Sequence, residues 1–173
     1  MGEQQRLRWA PGVWNRLSIP KHKFIIWLSI QGRLQTREKL HRIGASQEDE
    51  CCICGMYKET HEHLMFSCVY SQRLMTKIML WLGYKYKLRT LPQWIMWTQR
   101  SYRGTRIRRQ VLLTVIAAVG YQIWRIRNQA YWEAMIDSVD KSFKSVQFIV
   151  KHKLQSWIPK KCSSVDRMWI EDL

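Results

Sequence analysis

Four of the five cysteines and two of the five histidines fall between residues 50 and 70. Cys51 and Cys54 form a C-x2-C pair, the spacing at which two thiolates on a tight turn reach one metal ion, and the Gly55 that follows lets the backbone fold under the sulfurs. His63 and Cys68 complete the series C-x2-C-x8-H-x4-C. Three sulfurs and one nitrogen suit tetrahedral zinc, and with four protein ligands no position is open to water or substrate, so the expected site is structural. His61 also lies in range. The four-residue interval from His63 to Cys68 is the one a helical turn spans easily, which favours His63. Cys52 is the spare thiol, able to replace Cys51 only in a tighter C-x-C pair. A structural zinc site of this kind contributes about 10–16 kcal/mol of binding free energy, as much as the whole net stability of a typical domain, about 5–15 kcal/mol.

The elements that must position these ligands read as helices. Pro20 opens a segment with Phe24, Ile25, Trp27, Leu28 and Ile30 as a dense apolar face, ending near Gly32. Thr36 is placed to cap a short helix from Arg37 to Ile43, with Leu40 and Ile43 inward and Gly44 as its stop. After the ligands, Leu74, Ile78, Trp81 and Leu82 form one stripe of an amphipathic helix that stops at Gly83. Cys68 falls at its start, so a metal ion would staple the helix end to the Cys51–Cys54 turn. Tyr84 to Arg89 alternates aromatic and lysine residues, and Pro92 opens a short helix carrying Trp94, Ile95 and Trp97. The longest pattern runs from Arg106 to about Ala130, with Leu112, Ile116, Val119, Ile123 and Ile126 facing the core. A last helix is expected from Ser138 to Trp157, with Val139, Phe143, Val146, Phe148, Val150 and Leu154 as buried positions. No strand alternation is present. The fold class is mostly α, a small helical domain in which a zinc-stapled CCHC turn packs on a helical bundle. The boundaries read as an extended lead-in (1–12), a zinc-binding module (13–83), a basic and aromatic connector with a short helix (84–105), a two-helix part of the same unit (106–158) and a tail (159–173).

The chain has 173 residues and a formal net charge of +16, with 29 Lys and Arg against 13 Asp and Glu. A surplus of that size favours a polyanionic partner, with RNA or DNA first and an acidic membrane surface second. No apolar run approaches the roughly 18 residues of a membrane span, and no secretory signal opens the chain, so a nuclear or cytoplasmic protein is expected. Arg100, Arg103, Arg106, Arg108 and Arg109, followed by Arg125 and Arg127, are the candidate nucleic-acid contacts, because no acidic residue interrupts the stretch from Arg100 to Arg127 and the guanidinium fork suits phosphate. Helix-spaced tryptophans such as Trp81, Trp94, Trp97 and Trp124 are expected in the core.

Catalysis has weak support. Glu133, Asp137 and Asp140 fall at i, i+4 and i+7 of a helical pattern, but Lys141 and Lys144 stand beside them, which favours a solvated, salt-bridged face over a magnesium site. No nucleophile elbow or Gly-rich phosphate loop occurs, so a non-enzymatic protein is expected.

Several stretches resemble a known family. Val-Trp-Asn-Arg-Leu-Ser-Ile-Pro-Lys-His-Lys-Phe-Ile-Ile-Trp-Leu at 13–28, Gly-Arg-Leu-Gln-Thr-Arg-Glu-Lys-Leu at 32–40, Cys51-x2-Cys54-Gly55, Glu59-Thr60-x2-His63-Leu64 and Cys68 look like the zinc-binding reverse-transcriptase domain. In plant non-LTR (LINE-type) retrotransposons that domain follows the polymerase. Ile-Trp-Arg-Ile-Arg-Asn at 123–128 is similar to the helix that follows the zinc module there. The resemblance implies Cys51, Cys54, His63 and Cys68 as ligands, zinc as the cofactor, and an origin in machinery that handles RNA and DNA. With no Tyr-x-Asp-Asp signature, reverse transcription is not expected of this chain by itself. Two functions of different class follow: an accessory nucleic-acid-binding zinc module, and a domesticated fragment that binds a protein through its tryptophan-rich surface.

Overall fold

The computed structural model describes residues 10–84, 91–100, 102–157 and 162–173. The first nine residues of the lead-in, Lys85 to Arg89 of the connector, Ser101 and the expected stop at Pro159 lie outside them. The described chain is mostly α, with eight α-helices, one π-helical turn and no strand.

The architecture follows from the longest helix. α6 (Arg106–Glu133) spans about 42 Å at 1.5 Å per residue. Its start is set by Thr105, whose hydroxyl accepts from the Arg108 amide at 3.2 Å. The expected stripe of Leu112, Ile116, Val119, Ile123 and Ile126 is buried, but so is every residue from Val111 to Gly120. That run is apolar on all sides apart from Thr114, whose hydroxyl bonds back to the Gln110 carbonyl at 2.8 Å. A helix without a polar face must be enclosed by neighbours. α2 (Pro20–Ile30) packs along one side and α7 (Val139–Gln155) along another, while α4 (Val69–Trp81) lies against α7. α1 (Ala10–Val13) and α5 (Leu91–Arg100) pack against the first half of α6, where Val13, Trp94 and Ile95 share a buried cluster with Leu113, Ile116 and Ala117. At the α2–α6 crossing a Cβ on Gly120 would sit 2.4 Å from Ile26 Cδ1, so any larger residue there would push the Ile26 side chain aside.

That crossing decides which face of α2 is inward. His22, Ile26 and Ser29, at i, i+4 and i+7, are buried, whereas Phe24, expected inside, is exposed. Apolar residues occupy more than one face of this helix, and the small surface at Gly120 selects the one through Ile26. α3 (Arg37–Arg42) buries none of its residues, and Ile43, expected inward, is 70% exposed just past its last turn. In α4, Leu74, Ile78 and Leu82 are buried as expected, and Gly83 closes the helix at φ +76°.

α7 is capped by Ser138, whose hydroxyl accepts from the Lys141 amide. Val146, Val150 and Leu154 are buried one turn apart, and Phe148 is exposed; two residues from Val146 is about 200° around the helix, so it faces solvent. Hydrogen bonds through Ser142 tie three helices together. Ser142 Oγ lies 2.7 Å from the Tyr70 hydroxyl and accepts from Gln122 Nε2 at 2.9 Å. The segment read as a tail forms α8 (Ser164–Glu171). Its cap, Ser163, accepts from the Asp166 amide at 3.1 Å, and the buried Asp166 carboxylate accepts from Thr105 Oγ1 and Arg108 Nε at 3.1 and 2.9 Å. Ile170 and Leu173 enter the core, and Trp81 Nε1 donates to the Leu173 carbonyl at 2.6 Å.

The carboxylates read at one helical spacing are not on one helix. α6 ends at Glu133, with Ala134 in the left-handed region at φ 52°; Asp137 lies in the connection and Asp140 in the first turn of α7. Asp137 is held by Arg125 and Lys141, and Asp140 by Lys77. Cys51 and Cys68 belong to the same buried cluster as Leu17, Leu34, Leu74, Val115 and Val146, so the cysteine turn shares its core with helices from both halves of the chain.

Candidate metal centre

The first two candidate ligands, Cys51 and Cys54, lie on a turn closed by backbone hydrogen bonds. The Gly55 amide donates to the Cys51 carbonyl and the Cys51 amide to the Tyr57 carbonyl, each at 2.7 Å, and Glu50 bridges Lys58 across the turn. Gly55 has φ +63°, where a side chain would be strained. The backbone amides of Cys54 and Ile53 act to lower the pKa of the Cys51 thiol, and those of Ser71 and Tyr70, at the start of α4, that of the Cys68 thiol. Such donors stabilise thiolate charge.

The second pair is set by a π-helical turn (His63–Ser67). Its closing bond runs from the Cys68 amide to the His63 carbonyl at 2.7 Å, five residues apart. Thr60 begins the turn by accepting from the His63 amide at 2.9 Å. Cys68 then takes the N-cap position of α4 in extended conformation, so one residue ends the π turn, offers a sulfur and starts the next helix.

The donor atoms of Cys51, Cys54, His63 and Cys68 all lie within 4.8 Å of one another, and Cys54 Sγ is 3.3 Å from His63 Nε2. A tetrahedral ion with ordinary zinc bond lengths has S···N and S···S edges of about 3.6 and 3.8 Å. The set therefore fits one four-coordinate ion after shifts of about 1 Å or less at its longest edge. Three of the residues are buried and Cys54 is half-buried. Burial lowers the His63 pKa, favouring the neutral imidazole that can ligate. A hydrogen bond between Cys51 and Cys68, reinforced by burial, pushes the Cys51 thiol up, and the same bond holds the Cys68 thiol down. His61 points elsewhere: its ring bonds to the Leu34 backbone and its Nε2 is buried without a partner.

Cys52 belongs to a second layer. Its amide and thiol donate to Glu59 Oε2 at 3.3 and 3.1 Å, and burial, then the Glu59 charge, push the thiol up to about 12. Glu59 is fully buried and its Oε1 accepts from the Arg37 amide and from Arg127 Nε, each at 2.8 Å. One carboxylate thus holds the cysteine turn, the start of α3 and the middle of the C-terminal half of α6. Arg127 is 2% exposed and lies over the rings of Tyr131 and Trp124, 4.6 and 5.1 Å from their centroids.

This corrects the reading of Arg127 as a nucleic-acid contact: its guanidinium faces Glu59 inside the fold. The other arginines divide. Arg100, Arg103 and Arg106 are exposed, and Arg125 is exposed while engaging Gln122 and Asp137. Arg108 is half-buried, paired with Asp166 and stacked over Trp169; Arg109 is half-buried and donates to the Tyr102 carbonyl. Of the tryptophans, Trp94 is buried and Trp81, Trp97 and Trp124 are half-buried. The Glu59-Thr60-x2-His63 motif carried the signal for the second layer, since Glu59 anchors the turn and Thr60 starts the π turn.

Residues 1–75, which include all four clustered Cys and His residues, match the family model described as zinc-binding in reverse transcriptase. No curated protein and no solved structure matches the chain. The match and the Cys3His cluster together support a metal site in the N-terminal part of this fold.

Proposed function

We propose that the chain is a non-catalytic zinc module that binds RNA or DNA through its basic surface, derived from a LINE-type retroelement. The observation that carries the binding reading is the net charge of +16 together with exposed arginines at Arg100, Arg103 and Arg106, where α5 gives way to α6. Phosphate contacts need clustered positive charge and little else. Support for zinc comes from the sulfur-rich donor set and the matched family. When bound, zinc would cross-link the turn, the π turn and α4, and four protein ligands would close its coordination sphere against substrate. The retroelement origin rests on the match over residues 1–75.

A second reading, a protein-binding module, is favoured by Met56 and Tyr57, which are both exposed on the cysteine turn. A gel-shift titration with RNA and DNA over a series of salt concentrations separates the two. The nucleic-acid reading predicts affinity that falls linearly in log–log form with salt, and a slope reduced when Arg103 and Arg106 are changed to glutamine. Binding indifferent to salt, or none at low salt, contradicts it.

A further inference from the structure

Among the described residues, one face of the C-terminal half of α6 is left open beside α2. Residues 121, 125, 129, 132 and 133 share it, at i, i+4, i+8, i+11 and i+12. They line a shallow groove of about 450 Å³ together with Trp124. Trp132 is 76% exposed, an unusual placement for the largest apolar side chain. Tyr131 touches its ring edge-on at 4.7 Å. Gln129 has its side-chain oxygen buried and without a hydrogen-bond partner, and Glu133 adds an exposed carboxylate at the helix end. On the rim, Arg125 engages Gln122 and Asp137 and retains further N–H donors, while Lys21 lies over the Tyr121 ring at 4.9 Å.

We propose that this groove binds an unstacked nucleobase carrying an exocyclic amino group, supplied by single-stranded RNA or DNA. The inference rests on the nucleic-acid reading above and names a subsite within it. Trp132 supplies a stacking face that any base can use. Glu133 supplies an exposed acceptor for an exocyclic N–H, as carboxylate side chains do with cytosine, and Gln129, its oxygen buried, forms the groove wall beside it. Arg125 and Lys21 stand where the flanking phosphates pass. Glu133 makes the groove itself a poor phosphate site, which assigns the base to the groove and the backbone to its rim.

The test uses the full zinc-loaded chain and fluorescence anisotropy with labelled single strands of A, C or U, and with a duplex of the same length. The expected result is preference for A and C over U, a loss of about ten-fold in single-strand affinity for Trp132→Ala, and duplex affinity unchanged within about two-fold. Glu133→Ala is expected to lower the ratio of A- and C-strand affinity to U-strand affinity. Trp132 is exposed, so its removal leaves the core intact. If Trp132→Ala leaves single-strand affinity unchanged while the duplex still binds in a salt-dependent way, the groove proposal falls and the basic-surface reading stands. If the unmodified protein binds neither strand nor duplex, both fall.

Discussion

Replacing Arg127 by methionine tests whether α6 and the cysteine turn are coupled through one buried ion pair. Methionine keeps most of the aliphatic stem and removes the guanidinium. The Glu59 carboxylate, fully buried, then loses the Nε donor at 2.8 Å and its countercharge, keeping the Arg37 and Cys52 amides and the Cys52 thiol. Breaking a buried pair from one side costs about 3–5 kcal/mol. The remaining donors to Glu59 place the electrostatic part near the lower end, about 3 kcal/mol, and losing the cation from the faces of Trp124 and Tyr131 adds about 1 kcal/mol. A total of about 4 kcal/mol is a large share of the net stability of a domain. Urea denaturation of the metal-loaded protein should show it as a lower midpoint at unchanged slope. Because Glu59 also orients the amide of Cys52, metal affinity measured against a competing chelator should fall by about 10–100-fold. A double-mutant cycle with Glu59→Gln isolates the pair. A stability loss below about 1 kcal/mol, or a coupling energy near zero, would refute the reasoning. Lost stability with metal affinity unchanged would refute the part that joins the pair to the metal site.

Two further outcomes are expected. His22 is buried, stacked on Tyr121 at 4.4 Å, and burial followed by the charge of Lys21 lowers its pKa from 6.5 to about 4. Because the folded pKa lies below the unfolded one, stability is retained above about pH 6.5 and lost as pH falls through 4, by about 3 kcal/mol in full; a thermal-denaturation series from pH 7 to 4 should show this loss reduced in His22→Phe. Asp166→Ala should strip the buried partner from Arg108 and Thr105 and cost about 2 kcal/mol, with α8 becoming the first protease-sensitive segment in limited digestion.

The ligand turn was the most legible part because spacing encodes it. C-x2-C-G and H-x4-C describe local loops whose geometry depends on few distant residues. The inward faces of α4, α6 and α7 were legible from period, although Phe148 and Ile43 show that an apolar residue off the stripe stays in water. In sequence α8 looks like a tail, although Ser163 stands three residues before Asp166 as a helix cap does; the segment is short and its burial depends on Arg108 and Trp81, far away in sequence. Arg127 was hidden by its neighbours. In a stretch with arginines and no acids its partner had to come from elsewhere, and Glu59 is 68 residues away. Only the fold brings the one buried carboxylate of the cysteine turn to the one buried arginine of α6 among the described residues.

The claim on which the rest depends is that Cys51, Cys54, His63 and Cys68 hold one structural zinc ion. Metal analysis of the purified protein, with zinc K-edge X-ray absorption on the same sample, tests it most directly. The prediction is one zinc per chain in a shell of three sulfurs at about 2.3 Å and one nitrogen at about 2.0 Å, with Cys54→Ser losing the metal and much of the helix signal. Metal-free protein with full helix content, or a shell containing bound water and fewer than three sulfurs, would contradict it.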